Sequence, residues 1–237
     1  MKTARKRTVV LISGRGSNMA ALIEAASDTS YPAEIVGVIS DQPDAHGLRV
    51  AAARGIPTRT IVRGDYASKA HHDAAIDAAL NGFNAEIVAL AGYMRLLTAG
   101  FAEKWAGRMI NIHPSLLPSF KGLEPHRRAL EAGVKVHGCT VHFVTPEMDD
   151  GPIIAQAAVP VLAGDDEASL VARILKAEHP LYVLALKMLA EGKVAMEDGK
   201  VRFDAGIGLV ENADTVLFSP ADLRDEVDLE ALARFTP

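Results

Sequence analysis

Short apolar runs alternate with segments of helix length through the first half of this chain. The runs are rich in Val, Ile and Leu, and such alternation predicts an α/β fold with a parallel sheet covered by helices. The predicted strands are Thr8–Ser13, Glu34–Ser40, Thr58–Val62, Glu86–Gly92 and Arg108–Ile112. The predicted helices between them are Asn18–Ala26, Ala45–Arg54, Tyr66–Leu80 and Thr98–Trp105, with Gly55 and Gly82 as candidate C-caps.

Beyond the fifth predicted strand the pattern changes. The predicted elements there are a helix, two strands and a long helix: Pro125–Ala132, Val136–Val144, Ile153–Val161 and Ser169–Glu191. Together these elements predict one domain over residues 1–200, followed by a C-terminal extension over residues 201–237. In the extension, Ser219 and Pro220 followed by Asp222 predict the start of a short helix that packs on the domain or on a partner subunit.

Bulk properties restrict the class of partner. A net charge of -5 argues against general binding to nucleic acid. A single cysteine, Cys139, excludes an internal disulfide framework and fits a reducing cytosol. The apolar run after the basic segment Met1–Arg7 is too short for a signal peptide or a membrane span. We therefore expect a cytoplasmic protein, monomeric or homodimeric, that binds small molecules and neither nucleic acid nor membranes.

The segment Ser13–Asn18 follows the first predicted strand and opens the first predicted helix. Backbone N–H groups that glycine leaves accessible at a helix start bind phosphate. A dinucleotide-binding GxGxxG motif would need glycine where Met19 stands, and no GK[ST] sequence of a P-loop follows. The segment therefore predicts a site for a monophosphate, and the alternative is a tight strand-to-helix turn with Ser17 as the helix cap.

The run Asn111–Pro118 places an amide and an imidazole inside an otherwise apolar stretch. Pro114 and Pro118 stop a helix or a central strand there, because proline lacks an N–H and fixes φ. Asn111 and His113 are two residues apart, so in an extended segment they share a face. This pair suits polarising a carbonyl and moving a proton at neutral pH. The alternative is a structural histidine in a proline-rich corner.

Asp149 lies in Met148–Pro152, a polar turn between two predicted strands. A carboxylate at this position could reach His113 and favour its charged form. The alternative is an ordinary turn, since Asp and Gly are common turn residues.

The other candidate residues give weaker signals. His126 and His179 are expected near a pocket, whereas His71–His72 are expected on the surface, and His142 on a predicted strand shows no pattern that points to a role. Cys139 lies in an apolar strand and is expected to be a buried small hydrophobe rather than a nucleophile. No His, Cys or carboxylate cluster has the spacing of metal ligands, so we expect no metal.

Several of these segments together resemble the phosphoribosylglycinamide formyltransferases, also called glycinamide ribonucleotide transformylases. The likeness spans roughly residues 8 to 195, and its matching pieces are Val10–Asn18, Leu90–Leu97, Asn111–Pro118, His137–Val144 and Asp149–Pro152. The resemblance implies a Rossmann-like formyltransferase fold with a mostly parallel central sheet. It also implies transfer of a formyl group from 10-formyltetrahydrofolate, the co-substrate, to glycinamide ribonucleotide in purine biosynthesis, without a metal.

The resemblance also implies roles for individual positions. The implied catalytic residues are Asn111, His113 and Asp149. The implied nucleotide-binding residues are Gly16, Ser17, Asn18 and Glu178. The implied folate-binding residues are Lys69, Met94, Arg95, Leu96, Leu97 and Asn111. Arg15 and Glu124 depart from the pattern of the family. The N-terminal half is expected to bind the nucleotide and the C-terminal half the folate.

Two other functions remain as alternatives. One is a different enzyme that uses formyl-folate, such as a formyltetrahydrofolate deformylase or a methionyl-tRNA formyltransferase. The other is a non-catalytic nucleotide-binding module that uses only the phosphate loop, which would leave Asn111, His113 and Asp149 without a role.

Overall fold

A seven-stranded sheet with helices on both faces organises residues 4–204, the part of the chain that the computed structural model describes. The strands of this sheet are β1 (Lys6–Ile12), β2 (Ala33–Ser40), β3 (Thr58–Thr60), β4 (Ile87–Leu90), β5 (Met109–His113), β6 (Val136–Phe143) and β7 (Ile153–Pro160). The helices are α1 (Ser17–Ser27), α2 (His46–Ala53), α3 (Lys69–Gly82), α4 (Ala99–Lys104), α5 (Pro125–Glu131) and α6 (Glu167–Ala190). A separate hairpin follows, formed by β8 (Val194–Glu197) and β9 (Lys200–Phe203).

The order of strands in the sheet is β3-β2-β1-β4-β5-β6-β7. The first five strands pair in parallel, whereas β6 pairs antiparallel with β5 and β7 pairs antiparallel with β6. The predicted α/β class with a mostly parallel, helix-covered sheet is therefore confirmed. The direction of strand progression reverses between β1 and β4, and open sheets of this kind bind ligands at the carboxyl ends of the strands next to such a reversal.

The apolar run of β1 is explained by packing on both faces of the sheet. Val10 and Ile12 belong to the core formed with α1 and α6, while Val9 and Leu11 belong to the core formed with α3 and α4. Successive side chains of a strand point to opposite faces, so a central strand covered on both sides needs apolar residues throughout.

The edge of the sheet differs from the prediction. The segment Thr58–Val62 was expected to be a buried strand, but β3 ends at Thr60 and its residues are exposed. The physical reason is that β3 pairs only with β2 and forms the open edge of the sheet.

The termination of α3 also differs from the prediction. Gly82 was expected to be a C-cap, but it is the last residue of the helix, and Asn84 adopts the left-handed conformation with φ of 51°. Asparagine tolerates this region better than most residues, so it can end a helix in place of glycine. Gly55 does follow α2 with φ of 73°, as expected for a glycine that ends a helix.

Side-chain caps set the starts of the two long helices. The Ser68 hydroxyl accepts a hydrogen bond from the His71 N–H, and α3 therefore begins at Lys69, later than predicted. Asp166 and Ser169 form a capping box, which starts α6 at Glu167, two residues before the predicted start.

The predicted boundary between the domain and its extension lies close to the end of the described residues. Strand β9 begins at Lys200, next to the predicted boundary, and the helix predicted around Ser219 lies outside the described residues. The division at residue 200 stays a prediction.

Candidate active site

A pocket of about 830 Å³ lies at the carboxyl ends of β1, β4 and β5, beside the reversal of strand order. Its lining comes from four parts of the chain: the loop after β1, the loop after β4, the end of β5 with the loop that follows it, and the turn between β6 and β7. One side of α6 closes the remaining wall. The pocket thus collects most of the residues that the sequence identified as candidates.

The loop after β1 has the geometry of an anion site. Gly16 adopts φ of 77° and is the N-cap of α1, so it supplies no side chain to bond the first N–H groups of the helix. A Cβ at Gly16 would lie 2.9 Å from the Cα of Gly47 in α2, which shows how tightly the loop packs. The exposed N–H groups and the helix dipole favour a negatively charged group here. Ser17, the alternative cap in the sequence, is instead the first residue of the helix.

Asn18 and Glu178 meet at the floor of the pocket. The Asn18 Nδ2 donates to Glu178 Oε2 at 2.6 Å, which joins α1 to α6. Burial raises the pKa of Glu178, and the hydrogen bond from Asn18 opposes that rise. The Asn18 amide oxygen is buried and has no hydrogen-bond partner among the described residues. A buried acceptor without a partner is costly, so this oxygen is suited to accept a hydrogen bond from a ligand.

Asn111 and His113 both line the pocket, as expected for residues two apart on β5. The His113 Nδ1 lies 3.4 Å from Asp149 Oδ2, and its Nε2 lies 3.1 Å from the carbonyl oxygen of Phe120. Asp149 Oδ2 also accepts the N–H of Gly122 at 2.9 Å. The carboxylate therefore connects His113 to the loop after β5, and both ring nitrogens of His113 face oxygen acceptors.

His142 is a pocket residue that the sequence did not reveal. It pairs with Asn111 in the β5–β6 register, and the Asn111 Nδ2 lies 3.2 Å from its Nε2. The other ring nitrogen, Nδ1, lies 2.8 Å from the Phe143 carbonyl oxygen, which can only accept. Burial lowers the pKa of His142, so the ring is neutral at neutral pH and its Nε2 accepts from the amide. This contact fixes the orientation of the Asn111 side chain.

The loop after β4 forms an apolar wall of the pocket. Met94, Arg95, Leu96 and Leu97 all line it. Met94 and Leu96 are 69% and 64% exposed, so they leave apolar surface uncovered at the pocket. Such side chains are suited to contact a flat apolar ligand.

Lys69 differs from the other predicted folate-binding residues. It is not among the residues that line the pocket, and its Nζ donates to the carbonyl oxygen of Leu97 at 2.7 Å. Lys69 therefore supports the wall from behind. Arg15 and Glu124 both line the pocket, and Glu124 forms an ion pair with Arg127 at 2.5 Å.

Two of the remaining histidines do not lie where the sequence analysis placed them. His126 lines the pocket, whereas His179 lies outside its lining. His72, expected on the surface, is buried because its face of α3 packs against the sheet, and its Nε2 lies 2.9 Å from the Ile61 carbonyl oxygen.

The stability of the protein is expected to fall in mild acid through His126. Burial, together with His137 and His113, lowers the pKa of His126 from 6.5 to about 4. The unfolded chain therefore binds this proton at a higher pH than the folded chain, so the free energy of unfolding decreases as the pH falls from 6.5 towards 4. In denaturant titrations at about pH 7.5 and about pH 5, His126→Gln should reduce the loss of stability on acidification. Equal losses in the two proteins would contradict this assignment.

Residues 4–204 contain neither a metal-binding cluster nor a membrane-spanning helix. Within that range, no three His, Cys, Asp or Glu side chains are grouped so that they could hold a metal ion. No helix in the same range combines the length and hydropathy needed to cross a bilayer.

The chain is similar to known formyl transferases over most of its length. Residues 6–186 match the family described as formyl transferase. The phosphoribosylglycinamide formyltransferase of Escherichia coli strain K12 is 42% identical over 196 residues, which cover 83% of this chain and 92% of that relative. The crystal structure of glycinamide ribonucleotide transformylase 1 from Symbiobacterium toebii superposes with a TM-score of 0.82 at 46% identity, covering 84% of this chain and 94% of that one.

A longer relative is also similar. The trifunctional purine biosynthetic protein adenosine-3 of Gallus gallus is 48% identical over 202 residues, which cover 85% of this chain and 20% of that protein. This chain therefore spans about a fifth of the length of the trifunctional relative.

Proposed function

This chain belongs to the formyl transferase family, and we propose that it transfers the formyl group of 10-formyltetrahydrofolate to the amine of glycinamide ribonucleotide in purine biosynthesis. The observation that carries the proposal is the meeting of Asn111, His113 and Asp149 in one pocket, between a helix N-terminus suited to phosphate and an apolar wall. A binding module would need only the helix N-terminus.

The two substrates occupy different sides of the pocket in this proposal, and these sides do not follow the expected division of the chain into halves. Glu178, from the C-terminal half, lies on the nucleotide side, whereas the wall Met94–Leu97, from the N-terminal half, lies on the folate side. The phosphate of the ribonucleotide binds the N–H groups at Gly16, Ser17 and Asn18, where the helix dipole favours negative charge. Glu178 and the free amide oxygen of Asn18 accept hydrogen bonds from the polar part of the same substrate. The formyl-folate lies against the wall of Met94, Arg95, Leu96 and Leu97, and reaches the ends of β4 and β5.

The chemistry is acyl transfer between two nitrogens. The amine of glycinamide ribonucleotide attacks the formyl carbon, and the carbonyl oxygen becomes an oxyanion in a tetrahedral intermediate. The intermediate then collapses: the bond from the carbon to the folate nitrogen breaks, the attacking nitrogen loses a proton, and the folate nitrogen gains one. The acceptor leaves as the formamide, and the folate leaves without its formyl group.

Asn111 and His113 stabilise the oxyanion. Asn111 donates through its amide, whose direction is fixed by the neutral ring of His142 at 3.2 Å. His113 stabilises the oxyanion through the positive charge of its ring, which Asp149, 3.4 Å from Nδ1, orients and stabilises. The ring moves the proton once its Nε2 exchanges the Phe120 carbonyl oxygen, at 3.1 Å, for the reacting group. A donor aimed at a developing oxyanion contributes about 2.7–4 kcal/mol to catalysis. Holding both substrates in line supplies a second large part of the rate.

A formyl-transfer assay tests the proposal directly. The purified protein is mixed with 10-formyltetrahydrofolate and one of three acceptors: glycinamide ribonucleotide, methionyl-tRNA or water. We expect formylated product only with glycinamide ribonucleotide, and loss of that product in His113→Asn. Release of formate without an acceptor would identify a deformylase, and formylation of the tRNA would identify a methionyl-tRNA formyltransferase. Nucleotide binding without turnover would identify a non-catalytic binding module.

Location and assembly follow from the same proposal. We propose a cytoplasmic enzyme that works on small molecules, without nucleic acid, membrane or metal, as a monomer or a homodimer. Residues 1–200 form the catalytic domain in this proposal, and residues 201–237 form an extension.

Cys139 is expected to be dispensable for catalysis. It is fully buried in β6, and burial, together with the nearby Glu178, raises the pKa of its thiol to about 12. A neutral buried thiol is a poor nucleophile. Cys139→Ala should keep kcat within about threefold and lower the free energy of unfolding by about 1 kcal/mol, as other small truncations in a core do. Loss of formyl transfer in a folded Cys139→Ala protein would instead indicate a covalent intermediate.

A further inference from the structure

Asp41 is a buried carboxylate directly after β2, and it makes three polar contacts. Its Oδ1 accepts the hydroxyl of Ser13 at 2.5 Å, and its Oδ2 accepts the Nε of Arg95 at 2.6 Å and the Nε2 of Gln42 at 3.0 Å. The side chain of Asp41 is 1% exposed. Burial alone would raise the pKa of Asp41, but the hydrogen bonds from Ser13, Arg95 and Gln42 lower it. The carboxylate is therefore charged and held on several sides.

These contacts join the two sides of the pocket. Ser13 begins the loop that leads into α1, and Arg95 belongs to the apolar wall after β4. The Ser13 hydroxyl oxygen also accepts the N–H of Met94 at 2.8 Å. Asp41 thus holds the side chain of Arg95 directly and the main chain of Met94 through Ser13.

The contact with Arg95 leaves most of its guanidinium available. Only the Nε of Arg95 is hydrogen-bonded to the described residues, while the side chain is 43% exposed and lines the pocket. Because the guanidinium is planar, fixing Nε on Asp41 also fixes the direction of the two terminal nitrogens. A long side chain without that anchor would lose this orientation.

We propose that Asp41 is a positioning residue that holds the folate-side wall against the phosphate loop, so that binding of the folate depends on its charge. This inference rests on the proposed function for the identity of the two substrates. Asp41 touches neither substrate and acts through Arg95, Ser13 and Met94. If Asp41 only stabilised the fold, its replacement would lower the free energy of unfolding and leave the ratio of kcat to the KM for the folate unchanged.

The test compares Asp41→Asn with a matched control. Asn keeps the shape of Asp41 and an oxygen for Ser13, but it removes the charge that holds Arg95. We expect the KM for 10-formyltetrahydrofolate to rise about tenfold, with kcat within about threefold, because the ordered wall is a binding surface. The control is Asp77→Asn, since Asp77 also contacts three side chains, those of Asn81, Lys104 and Trp105, away from the pocket. It should leave both kinetic constants unchanged.

A second variant tests the contact between Asp41 and Arg95 by changing Arg95, its exposed partner. Arg95→Gln is expected to raise the KM for the folate to a similar degree, and the double variant with Asp41→Asn should be little worse than Arg95→Gln alone, because both changes break one unit. Additive losses, or an unchanged KM for the folate in Asp41→Asn, would overturn the proposal.

Amide hydrogen exchange supplies a readout that does not require activity. Exchange of the Met94 amide should become faster in Asp41→Asn, because the amide oxygen is a weaker acceptor for the Ser13 hydroxyl than the carboxylate and Arg95, next to Met94, loses its ion pair. It should stay as in the unmodified protein in Asp77→Asn. If the unmodified protein formylates no acceptor but Met94 still responds to Asp41→Asn, the proposed function fails while the positioning role of Asp41 stands. If Met94 does not respond, the positioning role fails even in an active enzyme.

Discussion

Asp149→Asn is expected to lower kcat by about 100-fold and to leave the KM of both substrates within about threefold. The charge of Asp149 lies 3.4 Å from the His113 Nδ1, and in the proposed mechanism it stabilises the ring while His113 carries a positive charge. In the proposed function neither substrate needs this charge to bind, because the phosphate is assigned to the loop at Gly16 and the folate to the wall after β4. Initial rates with each substrate varied in turn measure the two effects separately.

Asparagine is a clean replacement at this position for two reasons. Asp149 adopts the left-handed conformation with φ of 51°, and after glycine, asparagine is among the residues that tolerate this region best. The side-chain oxygen can also still accept the N–H of Gly122, which lies 2.9 Å from Asp149 Oδ2. The turn between β6 and β7 should therefore keep its shape, and the change in rate should report the lost charge.

Combining Asp149→Asn with His113→Asn shows whether the two residues act as a pair. His113→Asn alone should lower kcat by about 1000-fold, and the double variant should be little worse, since catalytic groups that act as a unit are non-additive. A double variant that loses the product of the two single losses would show that Asp149 acts independently of His113.

Local sequence signals were sufficient for the central part of the fold and for two of the loops that line the candidate site. The apolar runs located β1, β2, β4 and β5, because a strand covered on both faces needs apolar residues throughout. The glycines after β1 and the prolines after β5 marked the loops that line the pocket, because such residues restrict the backbone wherever they occur.

Contacts that depend on strand pairing could not be predicted in the same way. His142 orients Asn111 only because the β5–β6 register places the two residues opposite each other, and 30 residues separate them in the chain. Asp41 contacts Arg95 because β2 and β4 both flank β1, which the sequence of a single strand does not reveal. The position of Lys69 behind the wall depends on helix packing instead, since the placement of α3 directs its Nζ to the Leu97 carbonyl oxygen.

Gly16→Ala is expected to raise the KM for glycinamide ribonucleotide by at least about tenfold, and to change the KM for the folate much less. The left-handed conformation of Gly16, with φ of 77°, costs an L-residue about 1–2 kcal/mol. The added Cβ would also lie 2.9 Å from the Cα of Gly47, so the backbone must shift at the N–H groups that are proposed to bind the phosphate. Steady-state kinetics with each substrate varied at saturation of the other gives both constants.

Gly55→Ala separates backbone strain from damage to the site. Gly55 adopts φ of 73° at the end of α2, and a Cβ there has no heavy atom within 4 Å, so this variant carries strain alone. Both alanine variants should lose stability, but only Gly16→Ala should lose affinity for the nucleotide. Equal changes of KM for both substrates in Gly16→Ala, or loss of stability with an unchanged KM for the nucleotide, would show that the loop after β1 is a structural turn. The position of Gly16 between a buried strand and an uncapped helix favours the first result, because a turn with no ligand could fill the helix start with a capping side chain.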